Sequence, residues 1–511
     1  MATVIEPPAV SMGSERLGVG HRYVKAAVHT GIGGIASRVL QGFAPIVLAR
    51  YLGPKEYGVY ALVLSFVGIV TGVSNLGQNA ALQKFLPEYS VKDPARGGAI
   101  LTDTVIIISG ALGVVCTGFL FASRWIAAAI YHDPSLTGVF QFSALLVLAL
   151  TLFNLASSAT AGLQDFKSYS RAMVVRSAAF VLLGWLGVWL LGLYGALLGQ
   201  LLASILGLGL LTAAAIKLSR VRFPGSLRPR FSKDVLKEIF SFAFPALLAG
   251  LLVSPAYWWT NTLLARHAGF EQVGLFGVAF AMCQLIALVP SSLSVPAVSF
   301  MSETYASSNP EKFSELVGSN LRLIWALTLP IAFGCALFAS RIVRLLFGGA
   351  YRDASVLAQM MSFVALVIAV GGIAGYAVAG SGRMWHACWI NGCWFVVLVV
   401  VARFLVWAWG AKGLALAFGV SYALLAGFLC IYSVAFLHVR FEGLKPLVIL
   451  TLVCVLSTVV LTKSLAAAPF CVTAVLAEIG LVAAEWRTVL RPSEQSRLVE
   501  LGSQLFRANA A

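Results

Sequence analysis

The residues best suited to chemistry in this sequence are a few permanent charges and amides inside long apolar stretches. Arg38, Gln41 and Pro45 follow one another at i, i+3 and i+7, so they share one face of a helix, and the proline can kink that helix. A charge at the centre of a bilayer costs at least ~2.5 kcal/mol. We therefore expect Arg38 either to line a water-filled cavity or to pair structurally with a carbonyl or an acid.

Four further residues are candidates for the wall of such a cavity. Asn79 closes a stripe of small and polar residues in the second predicted span, and Asn154 belongs to a similar stripe in the fourth. Small residues of this kind indicate either tight helix packing or ligand contact. Arg176 and Arg322 lie nearer the ends of their spans, where they either reach the lipid headgroups or line the cavity. Glu478 is a candidate proton or ion site, although pairing with a basic neighbour is the favoured interpretation.

No pattern of catalytic or metal-binding residues occurs. The sequence lacks GxxxxGK[ST], HExxH and GxSxG, and its eight cysteines include no CxxC pair. We therefore predict no enzyme activity, no disulfide framework, no metal site and no cofactor, and we leave open a coupling ion, Na⁺ or H⁺. The basic residues sit mainly in short loops between apolar runs, which indicates lipid contact and not nucleic-acid binding.

The elements that must position these side chains are membrane-spanning helices. The 511 residues are 59% hydrophobic and 11% charged, with a mean hydropathy of +0.90, whereas soluble domains carry about 25% charged residues. The pattern predicts an all-α integral membrane protein. Its spans number about fourteen and start near residues 31, 57, 99, 137, 172, 194, 239, 272, 318, 354, 385, 413, 446 and 469.

The distribution of basic residues orients the chain. A cytoplasmic N-terminus places 23 of the 36 Lys and Arg residues on the inner side and 10 on the outer side, so both termini are predicted to be cytoplasmic. Arg50, Arg124, Arg266 and Arg341 then lie at outer helix ends, as headgroup anchors. The predicted parts are a cytoplasmic N-terminal arm (1–30), a six-helix lobe (31–216), a basic cytoplasmic linker (217–238), a second six-helix lobe (239–436), two extra transmembrane helices (446–486) and a cytoplasmic tail (487–511).

An internal repeat with an offset of about 217 residues relates the two lobes. Leu48-Ala49-Arg50 returns as Leu264-Ala265-Arg266, and the pentapeptide from Leu120 to Arg124 returns unchanged from Leu337 to Arg341. Because each unit holds an even number of spans, the two lobes are expected to be related by a pseudo-two-fold axis along the membrane normal. The other aligned positions are Gly53, Gly58, Tyr60, Tyr131, Asp133, Ser135 and Gly195 in the first lobe and Gly269, Gly274, Phe276, Tyr351, Asp353, Ser355 and Gly413 in the second.

Residues 36–60, ASRVLQGFAPIVLARYLGPKEYGVY, resemble the opening of the polysaccharide-biosynthesis proteins, the oligosaccharide or O-antigen flippases of bacteria. Their superfamily also holds multidrug exporters and the lipid II flippase. The segment from Leu48 to Tyr60 carries the likeness, and the six-plus-six plan with two added spans extends it over nearly the whole chain.

The resemblance implies two lobes that alternate between inward-open and outward-open states. They would move an undecaprenyl-pyrophosphate-linked glycan across the inner membrane for surface polysaccharide synthesis, alongside glycosyltransferases and a polysaccharide polymerase. Arginine suits such an anionic lipid-linked substrate, because guanidinium is permanently charged and offers forked donors to phosphate oxygens. Arg38 is the first candidate for this role.

Two other functions stay open. A cation-coupled multidrug antiporter of the same superfamily would be expected to carry acids in its cavity, whereas this chain has more arginines than acids at depth. A membrane glycan ligase or polymerase would need a long extracytoplasmic segment or convergent catalytic side chains, and the predicted outer loops are short.

Overall fold

The computed structural model describes residues 12–233, 252–288, 310–441, 444–464 and 467–489, with a few isolated positions between 237 and 305. Within these residues all regular secondary structure is helical. The helices of the first half are α1 (Met12–Ser74), α2 (Gln78–Lys92), α3 (Pro94–Trp125), α4 (Thr137–Gly162) and α5 (Phe166–Arg222).

The second half repeats this plan and adds two helices. Short helical turns connect α3 to α4 (Ile126–Ile130 and Pro134–Leu136) and precede the ninth helix (Gly349–Tyr351). The remaining helices are α6 (Val253–Ile286), α7 (Pro310–Leu337), α8 (Ala339–Phe347), α9 (Ala354–Gly380), α10 (Met384–Leu437), α11 (Leu444–Ser464) and α12 (Ala467–Thr488).

Nine helices in the described part of the chain are long and apolar enough to cross a membrane. Several are too long for one crossing: α5 has 57 residues, or ~85 Å at 1.5 Å per residue, against a hydrocarbon core of ~30 Å. Each of four such helices contains one glycine with non-helical angles, at which the chain reverses. The all-helical membrane fold is thus confirmed, whereas fourteen crossings stay a prediction.

The reversals bring pairs of helical segments into backbone contact. Gly192 has φ 58° and ψ −132°, a conformation that residues with a Cβ rarely adopt. Directly after it, a Cβ on Gly195 would overlap the carbonyl of Gly187. Only glycine allows the two segments of α5 to approach so closely.

The same backbone geometry recurs in the second half. Gly410 in α10 has φ 55° and ψ −130°, which matches Gly192 at an offset of 218 residues. Gly53 in α1 (φ 72°, ψ 171°) matches Gly269 in α6 (φ 86°, ψ 166°) at an offset of 216. The repeat in the sequence is therefore also a repeat in the backbone.

The chain reversals divide the bundle into two ends. We call the end that holds Gly53, Gly192, Gly269 and Gly410 the closed end, because the halves meet there, and it is the predicted outer side. The opposite end, which holds the basic segment 217–233, we call the basic end.

Helix boundaries agree with the sequence at several points and differ at others. The starts predicted at 137 and 354 coincide with those of α4 and α9. Helix α1 already begins at Met12, inside the predicted N-terminal arm, and α5 runs six residues into the predicted linker. Of the predicted tail, 490–511 lies outside the described residues, and the proposed part boundaries stay predictions.

The prediction that Asn79 belongs to the stripe of small and polar residues on the second span is wrong. That helix ends at Ser74, and Leu76 (φ 47°) and Gly77 (φ 69°) then turn the chain in the left-handed region. Asn79 lies in the next helix, α2, and its side chain is outside the described part.

Residues 223–233, the part of the basic segment that follows α5, are attached to the bundle. Asp103 on α3 is fully buried and accepts hydrogen bonds from the backbone N–H groups of Arg230 (3.0 Å) and Phe231 (3.1 Å). Phe223 is also buried, in a cluster with residues of α2, α3 and α4. A buried acid paired with backbone donors fixes this segment at the basic end.

Candidate functional site

A polar network joins the first segment of α1 to α5. The Gln41 amide donates to Ser37 Oγ (3.0 Å) and to Ser177 Oγ (3.1 Å), and the two hydroxyls are 2.9 Å apart. Ser177 in turn donates to the carbonyl of Met173 (2.8 Å). Since Ser37 and Ser177 are buried, the network holds α1 against α5 and fixes the direction in which its neighbours point.

Arg38 lies beside this network and its side chain is exposed. It precedes the reversal at Gly53 by fifteen residues, which is ~22 Å along the helix. In a hydrocarbon core of ~30 Å this depth is well inside the membrane. An exposed guanidinium at that depth requires water or an anionic partner, which fits a wall of a polar cavity.

Arg176 is the neighbour of Ser177 on α5 and forms a second cationic position. Its guanidinium carbon lies 4.6 Å from the centre of the Phe153 ring. Its Nε is buried and has no hydrogen-bond partner in the described part of the chain. A buried N–H of a permanent cation without an acceptor is costly. An anionic oxygen that came within reach would satisfy this donor.

Neighbouring residues leave room for Arg176 and keep it in place. A Cβ on Gly207, on the second segment of α5, would lie 3.1 Å from the Cβ of Arg176 and 2.8 Å from the Phe153 ring. Asn154 follows Phe153 on α4 and is half-buried. Nearby on α4, the buried hydroxyl of Thr151 has no described partner.

Four of the six candidates lie on three helices of the first half that pack together: Arg38 and Gln41 on α1, Arg176 on α5 and Asn154 on α4. Gln41 bonds to Ser177, which directly follows Arg176 in the chain, and Arg176 stacks on Phe153, which precedes Asn154. We call this group the first-half site. The serines and Phe153 were not predicted as members. The i−4 spacing of Ser37 and Gln41 could have indicated a hydrogen bond between them within α1. No spacing in the sequence reveals that Gln41 also bonds to Ser177, 136 residues away.

Arg322 lies apart from the first-half site. It is on α7 in the second half, with 4% of its surface exposed, close to Gly318. In this conformation its side chain is enclosed by protein. Its role in the cavity stays a prediction, as do the roles of the other candidates.

At the closed end, the two halves meet in backbone contact. A Cβ on Gly58 of α1 would overlap the carbonyl of Phe270, and a Cβ on Gly274 of α6 would overlap the carbonyl of Pro54. Gly58 and Gly274 are equivalent in the repeat, at an offset of 216 residues. The crossing of α1 and α6 is thus symmetric and leaves no passage between them.

Hydrogen bonds between the halves are also reciprocal. Tyr131 of the first half lies 3.0 Å from Thr262 Oγ1 and accepts a 3.0 Å bond from Trp258 Nε1 in the second half. Its repeat partner Tyr351, in the second half, donates to the carbonyl of Ala49 in the first (2.8 Å). Each tyrosine is therefore bonded to the opposite half.

Two of the repeated arginines take part in the same closure. Arg50 Nη1 donates to the carbonyl of Leu345 in the second half (3.3 Å), and Arg266 Nη2 lies 3.2 Å from His132 Nε2 in the first. Both side chains contact protein across the interface and are also exposed, so the expectation that Arg50 and Arg266 serve as headgroup anchors stays a prediction. Arg341 instead stacks on the Phe470 ring at 4.8 Å.

A cavity of about 1910 Å³ lies in the second half, between α7, α9, α10 and α11. Its walls are mainly apolar, with residues such as Phe363, Val364 and Val455, and Arg341 and Arg344 stand at the closed end. These walls suit hydrocarbon better than sugar or phosphate. We therefore take the first-half site, and not this larger space, as the candidate position for anionic groups.

The described residues include no group of three His, Cys, Asp or Glu side chains that could hold a metal ion. The first-half site offers cationic and neutral donors together with an aromatic ring. It contains no carboxylate, thiolate or imidazole. These groups suit the binding of an anion.

Comparison with known proteins identifies a family and relatives that this chain resembles. The family described as polysaccharide biosynthesis protein matches residues 47–356. The EPS I polysaccharide export inner membrane protein EpsE of Ralstonia nicotianae is 23% identical over 403 residues, covering 76% of this chain and 89% of that relative.

Two solved structures share the fold. The lipid II flippase MurJ, in an inward closed conformation, superposes with a TM-score of 0.70 at 13% identity, over 90% of this chain and 98% of that one. A multidrug resistance MATE family transporter in an inward-facing conformation superposes with a TM-score of 0.69 at 16% identity, over 78% of this chain and 94% of that one. The match of the family to more than half of the chain shows that this protein belongs to the polysaccharide biosynthesis protein family.

Proposed function

We propose that the protein flips a lipid-linked oligosaccharide, carried on undecaprenyl pyrophosphate, across the inner membrane for surface polysaccharide synthesis. The observation that carries the proposal is the first-half site, where Arg38 is exposed at membrane depth and Arg176 holds a buried donor without a partner. Both are permanent cations suited to phosphate oxygens. The family and the name of the Ralstonia relative agree with an exported polysaccharide.

The fold by itself does not choose between a flippase and a multidrug antiporter, because the two solved structures superpose almost equally well. The charge at the site favours the flippase. Cationic drugs would be repelled by Arg38 and Arg176, whereas a pyrophosphate would be attracted. The apolar cavity of the second half adds a surface suited to hydrocarbon, as a substrate with a polyprenyl chain requires.

The protein moves its substrate and catalyses no bond change. The reciprocal contacts seal the closed end, so access is from the basic end. If both termini are cytoplasmic, as the basic residues predict, this conformation faces inward. Glycosyltransferases that build the glycan and a polymerase that extends it are the expected functional partners. Transport then requires the halves to separate at the closed end and approach at the basic end.

Substitution of Arg38 tests the proposal. In a strain that lacks the chromosomal copy, Arg38→Ala and Arg38→Glu are expected to abolish polysaccharide export, while Arg38→Lys retains part of it. Binding of undecaprenyl pyrophosphate to the purified Arg38→Ala protein should weaken by about 10- to 150-fold. That range is the loss of a charge-assisted hydrogen bond of about 1.5 to 3 kcal/mol.

Arg171→Ala is the matched control, because Arg171 is an exposed arginine near the start of α5 and outside the first-half site. It should leave export and binding unchanged. The amount of folded protein is measured for every variant by size-exclusion chromatography. Normal export per folded molecule in Arg38→Ala would remove the proposed role of Arg38.

A further inference from the structure

A carboxyl group lies near the middle of α12, the second of the two extra transmembrane helices that the sequence predicts. Glu478 follows Ala467, the start of that helix, by eleven residues, which is ~17 Å at 1.5 Å per residue. This is about half of a ~30 Å hydrocarbon core. An ionisable side chain at such a depth is rare, and it is by default a sign of function.

Glu478 points at neighbouring helices and not at lipid alone. Its carboxyl oxygens lie 3.6 and 3.9 Å from the position that a Cβ on Gly334 of α7 would occupy. Because Gly334 has no side chain, the carboxyl packs against the backbone of α7. Cys335 is the next residue on α7 and lies near the same carboxyl.

A second acid lies two turns further along the same face of α12. Glu485 is 3% exposed, and Cys454 on α11 lies near both Glu485 and Glu478. The buried residues Ala474 and Leu481 complete this face. The two carboxyl groups therefore share one interface, formed by α7, α11 and α12.

Neither carboxyl is neutralised by a cation in the described part of the chain. Glu478 Oε2 and Glu485 Oε1 are buried and have no hydrogen-bond partner, and neither acid forms an ion pair. Within the part of the chain that the structure describes, Glu478 has no basic partner of the kind that the sequence led us to expect. The described basic side chains of the three helices are those of Lys312 and Arg322 on α7, Lys445 at the start of α11 and Arg487 on α12, and the structure shows no ion pair between them and these acids.

We propose that Glu478 is a proton-binding site, which holds a proton in this conformation and gives it to water when α12 and α7 separate. An ionised carboxylate in an apolar interface is disfavoured unless it is paired. Glu485 provides a second position on the same face, toward the basic end. A carboxyl that changes its proton with conformation can couple transport to a proton gradient.

Dicyclohexylcarbodiimide, an apolar reagent that forms stable adducts with protonated buried carboxyl groups, provides the test. The full-length protein in detergent is treated at several values from about pH 6 to about pH 9, and peptides are analysed by mass spectrometry. We expect an adduct on Glu478 whose yield falls at least tenfold across this range. Exposed Glu56, at the closed end, should carry none.

Three outcomes would overturn the proposal. They are no adduct on Glu478 near pH 6, a yield that does not change with pH, and protection by Na⁺ at constant ionic strength, which would indicate a metal cation instead of a proton. Glu478→Gln should lose the adduct while the Glu485→Gln protein keeps it. If Glu478→Gln does not fold, Glu478→Asp retains the carboxyl and should still be labelled. No step of this test uses a glycan, so it is independent of the proposed substrate.

Discussion

Replacement of Gly58 by alanine should open the closed end. A Cβ at this position would lie 2.8 Å from the backbone nitrogen of Gly274, whereas ordinary contacts begin at 3.4 Å. The α1 and α6 backbones would therefore have to separate by at least 0.6 Å, and no flexible side chain can absorb the shift. Overpacking of this kind costs about 1 to 3 kcal/mol, which would raise the population of the open form about 5- to 150-fold.

The assay is the alkylation rate of a cysteine placed at Thr262, which is buried behind the crossing. Native cysteines are removed first, and Thr262→Cys is carried in every variant. The rate with a charged maleimide should rise 5- to 150-fold in Gly58→Ala. Gly68→Ala is the matched control, because the nearest described atom to its new Cβ is Ser254 Oγ at 4.0 Å. Equal rates in the two variants would refute the account of the crossing.

Three further predictions concern the repeat and the orientation. Gly192→Ala should lower the unfolding midpoint in detergent, because its backbone conformation costs a residue with a Cβ about 1 to 3 kcal/mol. Gly209→Ala should leave the midpoint unchanged, because no described atom lies within 4 Å of its new Cβ. Arg50→Ala and Arg266→Ala should each raise the alkylation rate at the closed end, and the double variant should raise it further, whereas an unchanged double variant would contradict the role of these contacts. A reporter that is active only in the periplasm should be inactive when fused after residue 511, and activity there would contradict the predicted cytoplasmic C-terminus.

The sequence was most informative where local chemistry and periodicity decide the structure. Helix α4 begins at Thr137, where the sequence predicts it. The Asp133 side chain accepts a hydrogen bond from the Ser135 N–H (3.0 Å) and so fixes the turn before this helix. The repeat was visible because both halves need glycine at the same reversals and crossings. Resemblance at residues 36–60 indicated the family that the comparison then showed.

Contacts between distant helices could not be predicted in the same way. Polar pairs such as Gln41 and Ser177 leave no spacing that can be read along the chain. Arg50 and Arg266 were expected at headgroups, since an arginine at a helix end is usually there, and the sequence did not reveal that each also contacts the opposite half. Asn79 was misplaced because the left-handed turn at Leu76 interrupts an apolar run that otherwise continues.

Translocation by the purified protein in vesicles tests the central claim most directly. The protein is reconstituted with a fluorescent oligosaccharide on undecaprenyl pyrophosphate, and a glycosidase added outside reports the accessible fraction over time. The account predicts that the protected glycan becomes accessible with the wild-type protein and that Arg38→Ala abolishes this at equal reconstitution. Wild-type vesicles that leave the glycan protected, while transporting a cationic dye, would contradict the account and favour the antiporter.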